Sequence, residues 1–359
     1  MSANPTLREK IGQMLLVGFR GGEITDADPM ARELEAAHIG AVILFDREMA
    51  EPSRPSRNIQ SPEQVRALTQ SLQSRSRTPL LIAIDQEGGR VNRLKPEYGF
   101  LGTLSHEELG ATNDPARTFA EAEKIARTLA SVGINMNLAP VVDLDAALDN
   151  PIIKGKKRSF GPDAEAVSRH AMEFVRAHRR HGVLTCAKHF PGHGSARGDT
   201  HLGLVDVTSH WTENELTPFR RLVEAKLCDT VMTAHVFNAR LDSERPATLS
   251  AGVVTGLLRR QVGFAGVVLS DDMEMKAIAS HYGLEQAVQF GIEAGLDLFC
   301  FGNNMNFDAH IGEKVAGIIY RLVDSGQISE ARIDQSFHRL QQLKDYQKLP
   351  VSPDLRPNV

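Results

Sequence analysis

Residues 80–85 read LLIAID, five apolar side chains followed by an aspartate. An apolar run without polar alternation is typical of a strand that is buried on both faces, as in a parallel sheet covered by helices. The pattern recurs, and eight such runs alternate with longer stretches that have a helical pattern. The eight runs are residues 14–19, 41–45, 80–85, 136–143, 183–189, 230–235, 266–271 and 296–301.

The stretches between these runs predict helices. Residues 115–133, 163–182 and 253–262 are amphipathic, and the first two end at a glycine, which is a helix stop signal. Strands that alternate with helices pair in parallel through right-handed crossovers. Eight such units predict a (β/α)8 TIM-type barrel, an α/β fold. Residues 329–348 predict a terminal helix on its outer surface.

Composition limits the class of protein. The chain has 359 residues, 42% of them hydrophobic, and its 41 Lys and Arg nearly balance 45 Asp and Glu, which gives a net charge of -4. Such a chain is neither disordered nor a nucleic-acid binder by its overall charge. No shift in composition marks a second domain, so we expect residues 1–359 to form one domain.

Neither a membrane span nor a disulfide framework is expected. No apolar run reaches the about 18–20 residues that a membrane span needs, and the first residues lack the pattern of a signal peptide. Cys186, Cys228 and Cys300 are widely spaced and form no CxxC pair. We interpret them as reduced core residues of a cytoplasmic protein with no membrane partner.

Ionisable residues follow seven of the eight runs. In a parallel barrel the carboxyl ends of all strands lie on one face, where charged side chains reach solvent and substrate. The sequence therefore predicts one shared site on this face. The residues in question are Arg20, Asp46, Asp85, Asp143, Lys188 with His189, His235 and Asp271.

One segment combines glycines with titratable groups. Residues 187–201 read AKHFPGHGSARGDTH, and their glycines and proline exclude a helix or a strand interior. We expect a mobile loop over the site that carries His193, Asp199 and His201. The Asp-x-His spacing lets a carboxylate orient an imidazole, which suits general acid and base catalysis near neutral pH.

A second segment, residues 266–275 (GVVLSDDMEM), places two aspartates at the end of a strand. One of them can point into the site as a nucleophile or a metal ligand, and the other can cap a helix that begins near Met273. These residues alone do not decide between Asp271 and Asp272.

Three other segments carry charges toward the same face. Residues 84–94 (IDQEGGRVNRL) bring Asp85 together with Arg90 and Arg93, which suits a polyhydroxylated ligand or a simple ion pair. Residues 150–161 (NPIIKGKKRSFG) form a basic loop in which Arg158 is the member most suited to an anchored position. Residues 46–62 are either a loop on the substrate side or a surface insertion.

Together these motifs resemble glycoside hydrolase family 3, in particular its single-domain N-acetyl-β-glucosaminidase branch. The resemblance runs from about residue 11 to about residue 343, and KHFPGHG followed by DTH is its most specific part. It implies that Asp271 is the nucleophile, that His201 is the acid/base and that Asp199 is its partner. The positions implied to hold the terminal N-acetylglucosamine are Asp85, Arg93, Arg158, Lys188 and His189.

The resemblance implies a retaining exo-β-N-acetylglucosaminidase, a β-N-acetylhexosaminidase that forms a covalent glycosyl-aspartate intermediate. The implied substrates are cell-wall (muropeptide) fragments processed in the cytoplasm. Longer members of the family take an acid/base glutamate from a second domain, and we expect the barrel here to supply its own proton donor. We expect no metal, cofactor or nucleic-acid partner, and a monomer. The stretch before Arg158, Lys-Gly-Lys-Lys, is more basic than the family's usual pattern.

Three alternatives remain. A phosphorylase would use the same site with phosphate in place of water. A catalytically inactive sugar-binding protein would need a missing nucleophile or acid/base pair. A metal-dependent barrel hydrolase would use as ligands His189, His193, His201, His235 and Asp271.

Overall fold

The computed structural model describes residues 5–49, 51, 53 and 56–348. Eight parallel strands form one sheet in which the first seven pair in chain order and the eighth pairs with the first. Two further short strands, Val205–Asp206 and Val236–Phe237, pair with each other outside this sheet. A parallel bridge between Leu269 and Leu298 joins the seventh and eighth strands of the sheet and closes the barrel. The predicted (β/α)8 barrel is confirmed. Its strands are β1 Leu15–Gly18, β2 Ala41–Leu44, β3 Leu81–Ile84, β4 Met136–Asn137, β5 Leu184–Phe190, β6 Thr230–Thr233, β7 Val267–Ser270 and β8 Phe299–Phe301.

Helices surround this barrel. The α-helices are α1 Leu7–Gln13, α2 Pro29–Ala36, α3 Pro62–Arg75, α4 His106–Gly110, α5 Pro115–Ser131, α6 Ala164–Arg180, α7 Thr217–Glu224, α8 Lys276–Ala279, α9 Leu284–Ala294, α10 Ile311–Asp324 and α11 Glu330–Lys348. A π-helix spans Gly252–Gln261, and short 3₁₀ turns span Pro96–Tyr98, Glu213–Leu216 and Ala247–Leu249. The predicted terminal helix at residues 329–348 is α11.

Local signals explain where the long helices begin and how they pack. Asp163 precedes α6, and its side chain accepts a hydrogen bond from the Ala166 N–H, as an N-cap residue does. Val167, Ala171 and Phe174 recur at helical spacing and are buried toward the core. This face holds α6 against the barrel and fixes the strand ends that α6 connects.

The fourth strand is shorter than the apolar run at residues 136–143 predicts. Only Met136–Asn137 pairs regularly, because Pro140 has no N–H for the ladder. Beyond Pro140 the chain stays beside β5, where the Val142 N–H donates to the Lys188 carbonyl at 2.8 Å. Hydrophobic residues in this segment therefore lie next to β5 without a regular strand.

A buried arginine of the loop after β2 anchors that loop. Residues 50, 52, 54 and 55 of the predicted loop 46–62 lie outside the described residues. Arg57 is buried, donates to the Phe19 carbonyl at 2.8 Å and pairs with Glu48 at 3.2 Å. These contacts tie the described part of the loop to the carboxyl end of β1, on the face that carries the site.

Two of the three cysteines have the placement expected of core residues. The three cysteines are free thiols, with Cys186 and Cys300 buried, as predicted for reduced core residues. Among the helices of the described ranges, none combines the length and the hydrophobicity that crossing a bilayer requires.

Candidate active site

A chamber of about 160 Å³ opens at the carboxyl ends of the strands. Seven of the eight predicted site residues line it, namely Asp85, Arg93, Arg158, Lys188, His189, His201 and Asp271. The eighth, Asp199, lies in an adjoining outer space of about 760 Å³ that also contacts His201 and Arg93. We call these two spaces the chamber and the vestibule. Apolar side chains complete the chamber, including Ile43, Phe45, Val91, Leu138 and Met232.

Asp271 directly follows β7, so the strand itself directs it into the chamber. Its Oδ1 accepts the Asp272 N–H at 2.8 Å, and its Oδ2 makes no hydrogen bond to any described residue. Burial by itself would raise the pKa of the Asp271 carboxyl, but the nearby His189, His235 and His201 outweigh it and lower that pKa to about 2. Asp271 is therefore a carboxylate with one oxygen available to a ligand.

Asp272 has a different environment, although it also borders the chamber. Its Oδ1 accepts N–H groups from Glu274 and Gly302, each at 3.1 Å. The expectation that a helix begins near Met273 is wrong, because these residues form a turn and α8 begins at Lys276. The second aspartate thus stabilises a turn between the ends of β7 and β8.

His235 stabilises the same turn through its ring. It is fully buried, and its Nε2 lies 2.9 Å from the Asp272 carbonyl oxygen, to which it must donate because a carbonyl only accepts. Its Nδ1 lies 2.8 Å from the Thr248 hydroxyl. His235 therefore fixes the backbone that carries Asp271.

His201 and Asp199 form the predicted pair. The His201 Nδ1 lies 2.7 Å from the Asp199 carboxylate, so it donates its proton there, and its Nε2 hydrogen bonds to no described residue. Burial would raise the pKa of Asp199, but hydrogen bonds from the His201 backbone and ring lower it. This arrangement fixes the imidazole tautomer and leaves Nε2 available for proton transfer.

A buried network of charges lines the opposite wall. Lys188 lies 2.7 Å from Asp85 and 2.8 Å from Glu87, and Glu87 also accepts two hydrogen bonds from Arg158 at 2.7 and 2.8 Å. Arg93 is 3.6 Å from Asp85. Opposite charges in contact offset the cost of burying each charged group. The polar atoms of these side chains that are not used in ion pairs can hydrogen bond the hydroxyl groups of a ligand.

Glu87 is the member of this network that the sequence analysis missed. It is 1% exposed, and its attraction to Arg158 and Lys188 overcomes the effect of burial and holds the pKa of the carboxyl well below its ordinary value. Its position two residues after Asp85 places it near the site, but the local sequence does not show that it is buried or which cations it contacts.

His189 faces the network through a second missed partner. The His189 Nδ1 lies 2.6 Å from Asp143, and its Nε2 lies 3.3 Å from an Arg158 nitrogen that can only donate. These two contacts fix the orientation of the His189 ring between Asp143 and Arg158. Asp143 was predicted only as one of several charged strand ends, and here it orients a residue of the chamber.

The segment expected to be a mobile loop has two different halves. Residues 191–196 are buried, and His193 is only 3% exposed, with its N–H donating to Asp143 at 2.7 Å. His201, by contrast, has a side chain that is 47% exposed. Of the loop predicted over the site, the first half is therefore buried and anchored, and only the second half, which carries His201, is exposed.

The basic segment divides in the same way. Arg158 is anchored on Glu87, whereas Lys154 and Lys157 pair with Glu107 at 3.1 and 3.6 Å. Lys156 makes no ion pair or hydrogen bond with a described residue and borders both the chamber and the vestibule. Arg90 does not enter the chamber, since its guanidinium donates to the Gly155 carbonyl at 2.9 Å.

Positive side chains dominate the vestibule. Three carboxylates, from Asp46, Asp199 and Asp272, face six cations there, and Asp46 already pairs with Lys95. The cations are Arg47, Arg90, Arg93, Lys95, Lys156 and Lys276. The space outside the chamber therefore has an excess of positive charge.

The side chains that the structure describes do not form a metal site. The described ranges contain no group of three or more His, Cys, Asp or Glu side chains placed to hold a metal ion. Both ring nitrogens of His235 are engaged, by Thr248 and by the Asp272 carbonyl, and the His193 Nε2 lies 3.4 Å from the Thr200 hydroxyl. The ligand set of the metal-dependent alternative is not assembled among these residues.

Comparisons with known proteins identify the class, which is that of barrel-fold glycoside hydrolases. A sequence model described as the glycosyl hydrolase family 3 N terminal domain matches residues 6–343. The chain belongs to glycosyl hydrolase family 3.

Relatives of two lengths match. A beta-hexosaminidase of Alkalilimnicola ehrlichii is 35% identical over 89% of this chain and 87% of its own length. Beta-hexosaminidase A of Pseudoalteromonas piscicida is 32% identical over 97% of this chain, which spans only 62% of that protein.

Solved structures show the same division. A family 3 beta-N-acetylglucosaminidase from Paenibacillus has a TM-score of 0.87 at 36% identity, covering 98% of this chain and 65% of that one. The beta-N-acetylhexosaminidase of Beutenbergia cavernae has a TM-score of 0.85 at 29% identity, covering 96% of this chain and all of its own.

Proposed function

We propose that this protein is a retaining exo-β-N-acetylhexosaminidase that removes non-reducing terminal N-acetylglucosamine. One observation carries the proposal. Asp271 and His201 border the same chamber, the first with an unengaged carboxylate oxygen and the second with an unengaged ring nitrogen. The names of the relatives, which are beta-hexosaminidases and beta-N-acetylglucosaminidases, support the same activity.

In the first step the Asp271 Oδ2 attacks the anomeric carbon of the sugar, and the bond from that carbon to the leaving oxygen breaks. The protonated Nε2 of His201 gives its proton to the leaving oxygen, while Asp199 holds Nδ1. The low pKa of Asp271 supports this role, because a nucleophilic carboxyl has to be ionised.

In the second step water attacks the same carbon, and the His201 Nε2 takes up a proton from that water. The bond to Asp271 breaks, and the sugar leaves with its original anomeric configuration. The usual glycosidase uses a second carboxyl group as acid/base, and here a histidine takes that part. Its exposed position would let it reach a leaving group that extends into the vestibule.

The charged wall of the chamber supports recognition of a single sugar unit. Asp85, Lys188, Arg158, His189 and Arg93 offer hydrogen bonds to hydroxyl and amide groups, and the chamber's 160 Å³ is below the about 300–1,000 Å³ typical of drug-sized sites. The apolar side chains opposite suit the hydrophobic face of a pyranose ring.

The excess of positive charge in the vestibule favours an acidic leaving group, as in a cell-wall muropeptide fragment. Lys156 is the natural contact, since it is without a described partner and lies where the chamber meets the vestibule. Lys156→Ala should raise the KM for a carboxylate-bearing aglycone by about ten- to a hundredfold, as expected for a hydrogen bond to a charged group, and leave a neutral aryl substrate unchanged.

Lys157→Ala is the matched control, because Lys157 pairs with Glu107 and borders neither cavity. If the two variants behave alike on the acidic substrate, recognition of an anionic aglycone by Lys156 is refuted. The activity itself is not at stake in that comparison.

Phosphorolysis is a second candidate, which one observation favours. Arg93 and Lys156 border the chamber beside His201, where they could attract phosphate into the position of the attacking water. Product analysis with inorganic phosphate present separates the two reactions. Sugar 1-phosphate would establish a phosphorylase, and free sugar alone a hydrolase.

Two experiments test the main proposal. An aryl N-acetyl-β-glucosaminide should be cleaved in preference to the matching aryl β-glucoside, and turnover should persist in a strong chelator. A 2- or 5-fluorinated glycoside should then label the protein, with the sugar attached at Asp271. Absence of turnover would favour a sugar-binding protein, and a label on any other residue would refute the assigned nucleophile.

A further inference from the structure

The buried half of the histidine loop is held by three side chains from outside it. Asp143 accepts the His193 N–H at 2.7 Å, and the Asn150 amide donates to the carbonyls of His193 and Gly194 at 2.8 and 3.1 Å. Glu215 completes the set. Its Oε2 accepts the N–H groups of Gly194 and Ser195 at 3.0 and 3.3 Å. We call residues 192–195 the loop base.

Glu215 is a buried carboxyl group that comes from a short 3₁₀ turn and has no part in the catalytic scheme. It lies in the turn Glu213–Leu216, is 2% exposed, and its Oε1 has no hydrogen-bond partner among the described groups. A Cβ at Gly192 would stand 2.6 Å from its Oε2. The carboxyl group therefore packs directly against the backbone of the loop base.

The loop base leads within four residues to the acid/base pair. Between Ser195 and Asp199 the chain turns outward, and no other described side chain donates to or accepts from the backbone of residues 196–198. The direction in which the loop leaves the barrel, and with it the place of the His201 ring, depends on how the base is fixed.

We propose that Glu215 is a positioning residue for catalysis, whose ionised carboxyl group fixes the loop base so that His201 faces the leaving oxygen in the chamber. It touches neither sugar nor reacting atoms and acts only through His201. This inference rests on the proposed role of His201 as acid/base.

The energetics favour a functional reason for this carboxyl group. Burial, with a smaller contribution from Asp143, raises the pKa of Glu215 to about 7. A carboxyl whose pKa is raised in the folded protein costs stability as the pH rises from its ordinary pKa of 4.5 to the raised value, and the full cost remains above that value. Glutamine, which has the same shape, would avoid this cost.

The test compares Glu215→Gln with Glu213→Gln, an exposed glutamate in the same turn. Glu215→Gln should melt no lower than the wild type at pH 8, because it relieves a buried charge. Its kcat on a substrate with a poor leaving group should fall by about ten- to a hundredfold, the scale of a misplacement of about 1 Å. An activated aryl substrate should lose less, KM should not change, and Glu213→Gln should match the wild type.

Two further measurements establish that the effect passes through His201. In a His201→Ala background, Glu215→Gln should cause no additional loss, because residues that act as one unit are not additive. Hydrogen exchange of residues 192–201 should accelerate at least tenfold in Glu215→Gln and not in Glu213→Gln. Hydrogen exchange is measured without substrate, so this result tests the fixing of the loop base even if the wild type lacks the proposed activity.

The opposite results overturn the inference. An unchanged exchange rate together with unchanged kcat would show that the loop base does not need the charge. An equal loss on both kinds of substrate, or a full additional loss in the His201→Ala background, would show that Glu215 acts elsewhere.

Discussion

Replacing Glu87 by glutamine should destabilise this protein more than any exposed carboxylate would. The Glu87 Oε1 lies 2.8 Å from Lys188 and 2.7 Å from Arg158, and the glutamate and the lysine side chain are 1% and 2% exposed. At an effective dielectric constant of about 20, each such contact is an attraction of about 6 kcal/mol before desolvation is subtracted. The substitution removes both attractions, so that Lys188 keeps only Asp85 as a contacting counter-charge and Arg158 depends on Asp143 and Asp85, neither of which it pairs with directly.

Breaking a buried ion pair by removing one partner costs about 3–5 kcal/mol, because the other charge stays buried without compensation. For a domain of 359 residues that loss corresponds to about 4–7 °C in melting temperature, at about 1.3 °C per kcal/mol. Differential scanning calorimetry at pH 7 measures it, and added salt should not reproduce it, since buried pairs are little screened.

Glu97→Gln is the matched control. Its carboxyl is 57% exposed and 4.0 Å from Lys95, so its loss should cost less than about 1 kcal/mol. If Glu87→Gln and Glu97→Gln melt within about 2 °C of each other, the buried network does not carry the stability that its geometry indicates.

Three other outcomes follow from the site and from one distant carboxyl group. Asp271→Ala should abolish turnover and leave a folded protein, as circular dichroism and an activity assay can show; substantial remaining activity would contradict the nucleophile assignment. His201→Ala should reduce turnover far more on poor leaving groups than on activated aryl ones, and an equal loss on both would count against an acid role. Glu33 is buried where it accepts N–H groups at the start of α10, and burial raises the pKa of its carboxyl to about 7. Because the folded protein then favours the protonated form, stability falls as the pH rises toward and through that value. Glu33→Gln should accordingly have a higher melting temperature than the wild type at pH 8, and this difference should be smaller at pH 5. If the difference is the same at both pH values, the raised pKa assigned to Glu33 is refuted.

Several features of the site were accessible from the sequence because they are local. The apolar runs and the ionisable residues that follow seven of the eight predicted the face on which Asp85, Lys188, His189 and Asp271 meet. The Asp-x-His spacing predicted the contact of Asp199 with His201, which the structure shows at 2.7 Å. A neighbour two residues away is within reach in most loop conformations, so the prediction needed no knowledge of the fold.

Other features depend on partners that are distant in the chain. Glu87 meets Arg158 across 71 residues, and Asp143 meets His189 across 46. Nothing in the local pattern around Glu87 separates it from an exposed loop glutamate. The same is true of Glu215, whose turn looks solvent-exposed in the sequence but lies beneath the loop base.

The sequence by itself therefore determined the barrel, its order of strands and the face that carries the charged residues, because hydrophobic periodicity and turn residues act over a few positions. Only the tertiary structure decided which charges pair, which half of the histidine loop is buried and where the cations gather outside the chamber. These depend on how the closed barrel brings separate strand ends to within a few ångströms of one another, and the strength of each charge interaction is set by that distance and by burial.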